Sequence, residues 1–63
     1  MAYKIEDAFQ RYLNRECTVF TVDEEFEGML SEVGEGFILL KDDNSDYIIN
    51  IPNITGVEFE NDD

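Results

Sequence analysis

Residues Phe26 to Leu40 read F-E-G-M-L-S-E-V-G-E-G-F-I-L-L, and this stretch decides the fold. Its first part alternates, with Phe26, Gly28 and Leu30 on one side and Glu25, Glu27, Met29 and Ser31 on the other, the period of a strand that buries one face. Gly34-Glu35-Gly36 then supplies a tight turn. Phe37-Ile38-Leu39-Leu40 is apolar at four successive positions, as in a strand covered on both faces. Two strands this apolar must close against other elements. Gly28, in mid-strand, costs stability unless a bend or bulge needs the missing side chain, so it is the expected bend point.

The flanking segments have the patterns needed to close around that hairpin. Upstream, Glu16 to Asp23 (E-C-T-V-F-T-V-D) is rich in β-branched and aromatic residues, with Cys17, Val19 and Thr21 sharing one face. Downstream, Tyr47-Ile48-Ile49-Asn50-Ile51 is a strand, Pro52-Asn53 forces a corner because proline lacks a ladder donor, and Ile54 to Phe59 resumes as a strand. The expected strands are 16–23, 25–34, 36–41, 46–51 and 54–59. Residues 3–14 are predicted helical, because Ile5, Ala8, Phe9, Tyr12 and Leu13 form an apolar stripe at helical spacing. On such a helix Lys4, Arg11 and Arg15 fall along one narrow band beside the apolar face, either as a snorkelling border or as a basic rim. Residues 60–63 are a charged tail. The fold class is therefore mainly β, a single domain in which an N-terminal α-helix precedes a strongly bent, five-stranded antiparallel small barrel.

Composition narrows the function. A chain of 63 residues buries only about 60% of its unfolded surface, so its core alone is marginal. One cysteine excludes an intrachain disulfide, and the absence of histidine excludes a His-containing zinc site. Oligomerisation is the supplement left, and an apolar share of 43% leaves surface for it. The formal net charge of −12 disfavours non-specific binding to phosphate backbones and favours basic proteins or cations as partners. No apolar run reaches the length of a membrane span or a secretory signal, so the expected setting is cytoplasmic, without a membrane partner. Asn53-Ile54-Thr55 is for the same reason not read as a glycosylation site.

The chemistry-bearing residues form no catalytic pattern. Histidine, the usual general base, is missing, and Ser31 and Ser45 lack an elbow motif. Cys17 has no histidine or run of cations to activate it and is expected to fill the core. Asp42, Asn44 and Asp46 open like a calcium loop, but Tyr47 and Asn53 stand where its glycine and bidentate glutamate belong. The reading is of a protein that is not an enzyme and holds no metal or cofactor.

The order of elements, with Phe26-Glu27-Gly28-Met29-Leu30, the strand Phe37 to Leu40 and Ile54-Thr55-Gly56-Val57, resembles the Sm/LSm family, including its bacterial RNA-chaperone branch. The resemblance covers residues 3–59. It implies an Sm-like (SH3-like) barrel whose fourth strand pairs with the fifth strand of the next copy in a ring, with Tyr47, Ile49, Ile51, Ile54, Val57 and Phe59 at the interface. The family's polar base-contacting positions fall here on Gly34, Ile38 and Thr55, so RNA contact would rest on the rim of Lys4, Arg11 and Arg15. The resulting expectation is a ring-forming binding module with RNA as ligand. The alternatives are an acidic oligomeric scaffold for a basic protein, and an acidic mimic of nucleic acid.

Overall fold

The computed structural model describes residues 4–60 and contains a short helix followed by five strands in one antiparallel sheet. The elements are α1 (Ile5–Gln10), β1 (Glu16–Thr21), β2 (Glu25–Val33), β3 (Phe37–Lys41), β4 (Asp46–Asn50) and β5 (Ile54–Phe59), with a 3₁₀ turn over Ile51–Asn53. Sheet order is β4-β3-β2-β1-β5. Among the described residues β4 and β5 each have one strand neighbour, so the curled sheet stays open where a closed barrel was expected.

The helix is shorter than the predicted 3–14. Residue 3 lies outside the described residues, and the regular helix ends at Gln10 with Arg11 as its C-cap. From there the backbone bonds tighten to the i→i−3 kind: Tyr12 N–H donates to the Phe9 carbonyl at 2.9 Å and Arg15 N–H to the Tyr12 carbonyl at 3.2 Å. The cause is the sheet. Asn14 N–H already donates to the Leu30 carbonyl at 2.7 Å, and Leu30 N–H donates to the Arg15 carbonyl at 2.9 Å. Asn14 takes φ 70°, which asparagine tolerates better than most residues, so that the chain can turn directly into β1. At the other end Asp7 Oδ2 accepts from the Lys4 backbone N–H at 3.4 Å, and acidic Glu6 and Asp7 occupy the first turn.

β1 ends at Thr21, two residues before its predicted end, because Thr21 and Glu24 close a turn. Thr21 N–H donates to the Glu24 carbonyl at 2.8 Å, while Thr21 Oγ1 accepts from Glu24 N–H at 3.1 Å. The β2–β3 turn follows the glycine expectation. Gly34 N–H donates to the Phe37 carbonyl at 2.9 Å, and Gly36 holds φ 83°. Glu6 Oε2 accepts from Gly36 N–H at 3.1 Å, which fixes the helix over this turn. Within β2 the register shifts between Leu30 and Glu32. Gly28 serves close approach: a Cβ there would lie 2.8 Å from the Lys41 carbonyl oxygen.

The core consists of Phe9, Cys17, Val19, Leu30, Ile38, Leu40 and Ile49. β-strand alternation accounts for it. Cys17 sits opposite Gly28, Val19 opposite Phe26, Leu30 opposite Leu40 and Ile38 opposite Ile49, so these side chains share the inner face. β3 buries Ile38 and Leu40, while Phe37 and Leu39 on its other face stay half-buried.

Candidate functional site

The other face of the sheet divides in two. Across β2, β1 and β5 it is acidic: Thr18 lies between Glu27 and Glu58 in register, and Glu16 and Glu25 project from the same side. These glutamates are exposed, and Glu16, Glu27, Glu58 and Glu60 surround a hollow of about 310 Å³ floored by Thr18. Across β3 and β4 it is mixed, with Leu39 opposite Ile48, Phe37 opposite Asn50 and Lys41 opposite Asp46. Ile48 is 72% exposed, as expected of a large apolar side chain on a strand that lacks an outer neighbour.

Beside Ile48 a groove of about 350 Å³ runs between β4 and the β1–β2 turn. Val22, Phe26 and Ile49 give it an apolar lining, and Asp23, Glu24 and Asn53 a polar rim. Val22 is 80% exposed. The groove thus joins an uncovered valine of the β1–β2 turn to uncovered Ile48 on an edge strand, a combination that natural sheets ordinarily cover or charge.

The side chains expected at the oligomer interface have their own work inside the protomer. Ile49 is buried, and Tyr47 packs on Phe26 with ring centroids 5.0 Å apart. Phe59 stacks on Tyr12 at 4.2 Å, while Ile51, Ile54 and Val57 pack partly buried against the core. What remains at the two edges is backbone, with Ile48 at β4. Ile48 lies inside the Tyr47 to Ile51 strand whose pairing the resemblance implies, and it is the large apolar side chain of β4 that the protomer leaves uncovered. Its signal was present as a second large aliphatic residue on the opposite face of an edge strand.

The expected basic band is dispersed. Lys4 caps the helix N-terminus, Arg11 its C-terminus, and Arg15 lies at the entry to β1, since helical spacing does not hold beyond Gln10. Lys4 and Arg11 are exposed. Arg15 is engaged within the fold: its Nη2 donates to the Glu60 carbonyl at 2.6 Å, and its guanidinium lies 5.4 Å from the Tyr12 ring centroid.

Cys17 is a buried free thiol. Burial, with a smaller contribution from the Glu16 carboxylate, pushes its pKa up to about 11, so it stays protonated and unreactive at neutral pH. Among the described residues no group of three or more Cys, Asp or Glu side chains is placed to hold a metal ion. No helix among them is long and apolar enough to cross a membrane. No protein-family model matches the chain, and no curated protein is similar to it in sequence.

Proposed function

We propose that this chain is a non-enzymatic, Sm-like binding module that assembles into a ring of its own copies and presents an acidic face to a basic protein. The observation that carries this reading is the open sheet, which ends in one free edge at β4, with Ile48 uncovered, and another at β5. Pairing β4 of one copy with β5 of the next would satisfy both edges and complete the barrel wall. A domain this small gains from such burial. The face made by Glu16, Glu25, Glu27 and Glu58 would then repeat around the ring as a surface for a cationic partner.

RNA is the second reading, favoured by exposed Lys4 and Arg11 at the two ends of the helix. Arg15 contributes little to it, because its guanidinium is committed to Tyr12 and Glu60.

Light scattering behind size exclusion tests the assembly. A discrete oligomer of about five to seven subunits is expected, each of 7.3 kDa, and Ile48→Glu should return it to a folded monomer. A wild type that remains monomeric at every salt concentration would overturn the ring. Titration with poly-lysine and with a uridine-rich oligoribonucleotide separates the ligands. Binding of poly-lysine alone supports the acidic scaffold, whereas RNA binding that is lost in Arg11→Ala supports the second reading.

A further inference from the structure

We infer that assembly through these edges is gated by ionic strength, the copies standing apart at low salt and joining as salt rises. This inference rests on the edge-pairing reading above and adds its regulation. β4 (D-Y-I-I-N) and β5 (I-T-G-V-E-F) contain one charged residue each, Asp46 and Glu58, and neither strand contains a cation. Both carboxylates are exposed. Antiparallel pairing of β4 with β5 of a second copy continues the alternation of the sheet. Overlap along their full lengths sets the Asp46 end of one strand against the Glu58 end of the other.

The neighbouring residues deepen the repulsion. Asp42 and Asp43 are exposed in the turn that leads into Asp46, and exposed Glu60 follows Glu58. Two cations lie near these ends. Lys41 sits opposite Asp46 in register, and Arg15 reaches the Glu60 carbonyl. Among the described residues, five carboxylates (Asp42, Asp43, Asp46, Glu58 and Glu60) therefore meet two cations at each junction. Like charges directly opposite one another on paired strands are destabilising. The attraction that opposes them, burial of Ile48 and backbone pairing, is not weakened by salt. The Debye length falls from about 30 Å at 0.01 M to about 3 Å at 1 M, so added salt removes the repulsive part and leaves the rest.

The test follows native mass against protein concentration at about 0.01 M and about 0.5 M sodium chloride. It uses the wild type, the double variant Asp46→Asn/Glu58→Gln, and Glu58→Lys, with circular dichroism to confirm that each is folded. For the wild type the concentration at half-assembly should fall by about tenfold or more at the higher salt. The double variant should assemble almost equally well at both. Glu58→Lys places a cation against Asp46 of the next copy and should likewise lose most of the wild type's salt dependence, assembling at low salt at least as well as the double variant. Equal wild-type assembly at both salts, or assembly that weakens as salt rises, overturns the gating and leaves the ring standing. Monomers for all three proteins at both salts overturn the edge pairing and the gating together.

Discussion

β5 and β4 are the two outermost strands of one sheet, yet they are held in different ways. β5 is tied down at both ends by side-chain contacts with other parts of the chain. Phe59 stacks on Tyr12, Arg15 reaches the Glu60 carbonyl, and Thr55 Oγ1 donates to the Phe20 carbonyl at 3.2 Å. β4 has its ladder to β3, buried Ile49 and the contact of Tyr47 with Phe26, while Ile48 faces outward uncovered. Order at an edge can therefore come from the protomer itself or be left for a neighbour to complete. Under the proposed edge pairing, the β5 edge would be the finished template and the β4 edge the receptive one.

The contrast is sharpest within β4, where adjacent isoleucines have opposite fates. Ile49 is 5% exposed and sits opposite Ile38 in the core. Ile49→Ala should cost about 2–5 kcal/mol through lost transfer energy and the cavity left behind. For a domain of this size that is enough to unfold much of the population. Ile48→Ala should change the stability of the dilute, low-salt protein by no more than about 0.5 kcal/mol, since little of that side chain is removed from water. Urea melts of the two variants check this. Equal costs would show that Ile48 is packed within the protomer and that the β4 edge is already closed.

On the β5 side, Cys17 gives the comparison a pH dependence. It lies opposite Phe59 in register and opposite Gly28 on its other side. Its pKa is raised from 9.0 to about 11 in the fold, so folded and unfolded chains are both protonated below pH 9 and the thiol has no effect there. Above that pH the unfolded chain ionises first. It then binds fewer protons than the folded chain, and stability falls by about 1.4 kcal/mol per pH unit until the folded thiol also ionises. The loss totals roughly 2–3 kcal/mol across that window. The measurement is the difference in slope between the wild type and Cys17→Ala from pH 8 to 11, which isolates the contribution of the thiol. Parallel slopes would mean that water reaches the thiol and that the β1–β5 side is looser than its stacking implies.

The sequence carried the elements of this comparison unevenly. Alternation in β2 and the glycines at 34 and 36 are short-range signals, and the hairpin they predict is the one observed. Cys17 was legible as core because nothing nearby could activate a thiol. The end of the helix was not, because it is decided by Asn14 and Arg15 pairing with Leu30, a contact between segments about fifteen residues apart that local periodicity cannot express. The basic band was lost with it. The split of the outer face into an acidic half and a mixed half was equally hidden. It depends on which strand lies beside which, and Glu27, Thr18 and Glu58 become neighbours only once the order β2-β1-β5 is known.

The smallest expected effect tests whether side-chain tethers really separate the two edges. Arg15→Ala removes the donor to the Glu60 carbonyl and the cation beside the Tyr12 ring. Because that hydrogen bond is exposed, the global cost should be about 0.5–1 kcal/mol. The local consequence should be larger than the global one. Without the tether, the Phe59 end of β5 keeps its ladder to β1 and its stack on Tyr12, but it can fray from its last residue inward. Amide exchange should therefore quicken at Val57 to Phe59 and stay unchanged at Tyr47 to Ile49. Equal acceleration in both strands would mean that Arg15 acts on the whole sheet, and the distinction between a self-anchored β5 and a receptive β4 would fail. Acceleration confined to β5 would show that a half-buried arginine anchors that edge, a structural role distinct from ligand contact.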